Sequence, residues 1–174
     1  MTNQTTFTQE ESKMFFDCPY NEVYLVVVDA AKDARRFDTS KEEDIEKCKW
    51  IAAMVDVLFD VPMHKACEVL HLNNVKFNYK EFIAENHAVA KPRIYKKRTL
   101  ADYHRFYDSV LDVAFDADTF NATENTSDEL IEKCMWIMAM CDVFSETYLD
   151  VITPSFNKIG FHFDWEEFAK EHNL

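Results

Sequence analysis

Between residues 102 and 118 polar and apolar positions recur with a helical period. Asp108, Asp112 and Asp116 fall at i, i+4 and i+8, and Val110, Val113, Ala114 and Ala117 fall on the opposite side, which is the signature of an amphipathic helix. The run Val23–Val28, taken alone, would also suit a buried strand. It lies within Tyr20–Ala31, however, which aligns 86 residues ahead with Phe106–Ala117, so helix is predicted for both. The same reading predicts first helices over 19–36 and 102–118, long second helices over 41–60 and 127–146, third helices over 62–72 and 147–157, and short final helices over 79–86 and 165–172. Pro62 stands at a tolerated first-turn position of its helix.

The spacing of 86 recurs well beyond those first helices. Glu46-Lys-Cys-Lys-Trp-Ile51 matches Glu132-Lys-Cys-Met-Trp-Ile137, and Phe77-Asn-Tyr-Lys-Glu-Phe82 lies over Phe163-Asp-Trp-Glu-Glu-Phe168. From residue 43 to 87, 15 of 45 positions are identical across the two copies, including a Trp and a Cys, so an internal repeat is a better explanation than chance. Helix-start chemistry repeats with it. Ser40-x-x-Glu43 and Thr126-x-x-Glu129 read as capping boxes, as do Asn78-x-x-Glu81 and Asp164-x-x-Glu167. In the latter pair, Phe77 and Phe163 can staple onto Phe82 and Phe168. The organisation expected is an N-terminal tail (1–18), a first helical repeat (19–87), a basic linker (88–98) and a second helical repeat (99–174). The fold class expected is all-α: two similar units of three to four helices each, arising by internal duplication and packed with pseudo-two-fold symmetry. Units this short bury little surface alone, so they are expected to share one core or a tight interface.

Composition narrows the chemistry. In 174 residues the chain holds 15 Phe and 48% hydrophobic residues but one Gly. That is ample material for a core, and it leaves no glycine-rich phosphate loop. The net charge of −13 argues against direct nucleic-acid binding or attraction to an anionic membrane. It is unevenly spread: −6 over residues 1–87, +5 over 88–98 and −12 over 99–174. The basic linker is expected to lie near the acidic helices of its own chain or to be simply solvated, the alternative being contact with an anionic partner. Five cysteines without a CxxC pair suit reduced thiols rather than a disulfide framework. The N-terminal residues lack the basic and apolar stretches of a secretory signal, so the expected compartment is the cytoplasm, that of a host if the protein is viral.

Differences between the copies suggest where function lies. On the second helix Lys49, Ala52 and Val55 become Met135, Met138 and Cys141, widening the apolar arc. This helix is expected at the centre of the molecule, the alternative being a Met-rich contact for a partner or for a homodimer. Glu46, Asp56 and Asp60, with their counterparts Glu132, Asp142 and Glu146, form an acidic edge at i, i+10 and i+14. Asp56 or Asp142, if buried, would be an acid of raised pKa. A metal alternative rests on His64-x-x-Cys67-x-x-x-His71 with Glu68. The matching positions in the second copy are Asp150, Thr153, Asn157 and Pro154, which offer no complementary ligand set, so no metal or cofactor is expected.

No catalytic motif emerges. The function expected is that of a non-enzymatic acidic helical protein that binds another protein, one with a basic surface, and modulates or inhibits it. Compact, acidic, duplicated and without a cofactor motif, the chain is of the type of small viral or phage accessory proteins. The candidate partner-binding residues are Glu46, Asp56, Asp60, Glu132, Asp142, Glu146, Met135 and Met138. A narrower alternative is a DNA mimic occupying the nucleic-acid site of a DNA- or RNA-binding protein. Another, of a different class, is a metal-dependent enzyme using His64, Cys67 and His71.

Overall fold

A computed structural model describes residues 19–86 and 96–174. The predicted tail, and the linker up to residue 95, lie outside the described residues. Those residues are all-helical, with no strand among them. The helices are α1 (Tyr20–Ala34), α2 (Glu42–Phe59), α3 (Val61–Leu72), α4 (Tyr79–Glu85), α5 (Leu100–Asp118), α6 (Asp128–Thr147), a π-helical turn (Tyr148–Ile152), α7 (Thr153–Ile159) and α8 (Trp165–Glu171). Val23–Val28 lies within α1, in agreement with the helical reading.

Packing runs across the two halves of the chain. α1 packs along α6 and only brushes α2, while α2 packs along α5. α4 rests on α6, and α8 rests on α2. α6 also packs along α3. Met140 and Cys141 are buried there, while Met135 and Met138 are half-buried against the core. The driving force is one continuous apolar cluster fed by both halves. It includes Val23, Val27, Ile51 and Leu58 from one half and Val110, Val113, Ile137 and Phe144 from the other.

Buried polar groups tie the halves together reciprocally. The Tyr20 hydroxyl donates to Asp116 Oδ2 at 2.6 Å, and the Tyr103 hydroxyl donates to Asp33 Oδ2 at 2.7 Å. Lys133 Nζ lies 3.1 Å from Asp116 and over the Tyr20 ring, and Lys47 Nζ lies over the Tyr103 ring. Lys47 is 1% exposed, with Glu43 and Asp44 at 3.4 and 3.7 Å. Burying these charges is tolerated because each meets an opposite charge or a hydrogen bond.

These contacts revise the sequence reading in two respects. Asp116, on the polar side of its helix by pattern, is buried and bonded. Matching contacts on α1 and α5 are 83 residues apart, not 86: Tyr20 with Tyr103, Asp33 with Asp116, and Phe37 with Phe120. The extra three residues lie in the loop between Phe120 and Asp128. That loop is pinned by Asn73, whose side-chain amide donates to the Thr123 carbonyl (2.8 Å) and accepts from the Thr126 N–H (3.2 Å).

Helix starts also depart from expectation. Asn78 and Asp164 cap α4 and α8 as predicted, accepting from the Glu81 and Glu167 N–H groups, and both Phe staples form with ring centroids 5.6 Å apart. The Ser40 box does not form. Ser40 bonds Asp38 instead, and the Asp44 carboxylate accepts from the Asp38 N–H. In the second half Ser127, not Thr126, caps α6. A capping box that the sequence reading passed over, Thr99 with Asp102, starts α5 at Leu100. The predicted break near residue 147 is a π turn. Pro154 cannot donate to the carbonyl four residues back, and a wider turn relieves its ring. Asn74 and Gly160, both in the left-handed region, terminate α3 and α7.

Candidate functional site

Two clefts of about 460 Å³ each open where a first-helix segment from one half meets the second helix of the other. The first lies between the C-terminal part of α2, the start of α3 and the second half of α5, with Trp165 of α8 at its side. Asp56, Asp60 and Asp118 supply its charge, and Phe115, Val61 and Trp165 its apolar wall. No cation among the described residues pairs with any of the three aspartates. Phe115 is 50% exposed, beside Val61 at 36%, so the cleft offers apolar surface that a partner could cover.

The second cleft lies between α1, α4 and α6. Asp142 and Glu146 face Lys32 and Arg35 across it. Arg35 Nη2 is 3.3 Å from Glu146 and 3.8 Å from Asp150, so this cleft neutralises itself. At its floor Tyr24 and Tyr79 share a hydrogen bond of 2.7 Å, and burial with that bond raises the Tyr24 hydroxyl pKa.

Asp56 and Asp142, one in each cleft, have carboxyls held above the ordinary carboxylate range because the surrounding walls strip part of their water. Asp112 behaves likewise, with a further contribution from Asp108. Both aspartates remain open to solvent, so the raised pKa arises without full burial.

The acidic edge is therefore divided among separate places. Asp56 and Asp60 come together in the first cleft, and Asp142 and Glu146 in the second. Glu46 is drawn into a side-chain network, 2.8 Å from His172 Nε2 and 3.5 Å from Lys49. Glu132 is exposed and joins neither cleft. That network borders Trp50, whose ring packs on His104, Tyr107, Phe168 and His172 and whose buried Nε1 has no partner among the described residues.

His64 Nδ1 is 3.0 Å from the Asp60 carbonyl, and Cys67 Sγ is 3.8 Å from Met138 Sδ. Among the described residues no three His, Cys, Asp or Glu side chains are placed to hold a metal ion. The four described cysteines are free thiols; burial pushes Cys48, Cys134 and Cys141 up to about 12, which suppresses the reactive thiolate. The cleft residues missed from sequence were Phe115, Asp118 and Trp165. Phe115 was the available signal, because it is an apolar residue outside the buried stripe of α5.

No known protein family, curated protein or solved structure matches the chain. No described helix is long and apolar enough to cross a membrane.

Proposed function

We propose that the protein is a non-enzymatic, duplicated helical binding protein that docks on a basic surface of another protein and modulates or blocks it. The duplication places two related units about a pseudo-two-fold relation, each lending its first helix to the other. The crossed contacts Tyr20–Asp116 and Tyr103–Asp33 support this reading. The observation that carries the function is the first cleft, where three aspartates, none paired with a cation among the described residues, stand beside an exposed Phe. Carboxylates steer a basic partner into place, and the aromatic wall supplies area to bury.

DNA mimicry is the weaker reading because the acidic edge is broken: Glu46 is paired with His172 and Lys49, and Glu146 with Arg35. A phosphate backbone carries one charge per ~1.7 Å, far denser than the residual free carboxylates. The test is affinity capture of native partners by the tagged chain, followed by competition with duplex DNA. Capture of a stoichiometric protein partner that DNA does not displace supports the proposal. Displacement by DNA transfers the function to mimicry, and the absence of any stoichiometric partner rejects both.

A further inference from the structure

We infer that the acidic cleft receives an arginine side chain from a partner protein, the guanidinium entering among Asp56, Asp60 and Asp118 and the stem lying on Phe115 and Trp165. The inference deepens the proposed function and rests on it. Its support is an internal comparison. At the spacings that relate the halves, Asp60 corresponds to Glu146 (86 residues) and Asp118 to Arg35 (83 residues). In the second cleft Arg35 lies 3.3 Å from Glu146, and it also reaches Asp150, outside the cleft, at 3.8 Å. In the first cleft the arginine position holds Asp118. A cleft of the same volume thus carries a carboxylate where its counterpart carries a cation, and no cation among the described residues pairs with it.

The apolar wall has changed in the same direction. Lys32 lines the second cleft, and Phe115, 83 residues later, lines the first. Replacing a cation with an aromatic ring removes repulsion toward an incoming guanidinium and supplies a face on which it can stack. Arginine fits better than lysine, because its planar fork can engage two carboxylates at once while its stem covers apolar surface. The net charge of −13 favours the encounter at a distance. A bare divalent cation is a poorer occupant, since no three of these groups are placed to hold one ion.

The experiment is a titration of the ¹⁵N-labelled full chain, followed by NMR, with the peptide acetyl-Ala-Leu-Arg-Leu-Ala-amide. Two control peptides carry lysine or norleucine in place of arginine. Saturable shifts at Asp56, Asp60, Phe115, Asp118 and the Trp165 indole are expected with the arginine peptide. Weaker binding is expected with lysine, and none with norleucine. Asp118→Arg rebuilds the self-neutralised arrangement and should weaken the arginine peptide by about tenfold or more. Asp60→Asn serves as a second variant should Asp118→Arg fail to give a dispersed spectrum. The inference is overturned by equal binding of the norleucine peptide, by unchanged affinity in the variant that folds, or by no response of these residues. The proposed function is judged separately, by whether the wild-type chain captures a stoichiometric partner. A captured partner held equally well by Asp118→Arg would leave that function standing and remove this cleft from it.

Discussion

At the scale of single residues, the buried tyrosine–aspartate pairs account for how two acidic halves can share one core. Asp33 is 2% exposed, and a carboxylate so deep depends on its donors. Tyr103→Phe removes the 2.7 Å bond from the Tyr103 hydroxyl and leaves the ring packing unchanged. It should cost about 1–3 kcal/mol, read as a shift in the urea midpoint with an unchanged slope. The cleft aspartates work in the opposite sense. Asp56 has a folded-state pKa above the ordinary value because of desolvation, so the native state holds its proton more tightly than the unfolded chain does. The resulting destabilisation is absent below the ordinary carboxylate range, sets in as pH rises through the raised value, and is complete at neutral pH. Asp56→Asn should therefore raise the melting temperature at pH 7 and leave it unchanged in strongly acidic buffer. A lower melting temperature at pH 7 would contradict the desolvation argument. An acid held at some cost to stability in an open cleft is consistent with a binding role.

At the scale of elements, the short final helices are the parts least able to stand alone. Seven-residue helices such as α4 and α8 are too short to persist in water without tertiary support. α8 is held by its Asp164 cap, by the Phe163–Phe168 staple and by Phe168 lying edge-on to Trp50 with centroids 4.9 Å apart. Phe168→Ala should cost about 3–5 kcal/mol and speed hydrogen exchange across residues 165–172 ahead of α2 and α6. Uniform protection across the chain would show that α8 carries no local stability of its own. Such elements were legible from sequence because their signals are local: a cap, a glutamate three residues on, and a staple. The 3.6-residue period of α5 was legible for the same reason. What escaped were features set by partners distant in sequence. Asp116 sits on the polar side of its helix by pattern alone, and its burial is made affordable by the approach of Tyr20, 96 residues away, and of Lys133. The three-residue register change between the first helices is hidden in a loop whose length leaves no periodic trace. The acidic cleft was half legible, since Asp56 and Asp60 stand four residues apart at the end of the predicted second helix, whereas Asp118, Phe115 and Trp165 reach it from other elements.

For the whole molecule, the crossed packing implies that neither half is a folding unit. α1 finds its main partner in α6 and α2 finds its own in α5, so a fragment of residues 1–87 would contain two long helices that scarcely touch. Each would expose the apolar stripe that the other half covers, and a core of that size supplies too little burial to offset chain entropy. The same holds for residues 99–174, where α6 would lose α1, α3 and α4. Expressed separately, each fragment should show low helicity by circular dichroism, or self-associate through its uncovered stripe, and neither should melt cooperatively. Mixed at equal concentration, they should recover helicity in a concentration-dependent one-to-one complex, because the crossed contacts require no covalent connection. If residues 1–87 alone gave a cooperative, monomeric melt, α1 and α2 would have to pack on each other in a way the intact chain does not use. The reciprocal arrangement would then be a consequence of joining the halves rather than the source of their stability. Charge predicts which fragment suffers more: residues 99–174 carry a net −12 and residues 1–87 a net −6. Self-repulsion therefore weighs more on the second half, and added salt should promote its partial folding more than that of the first.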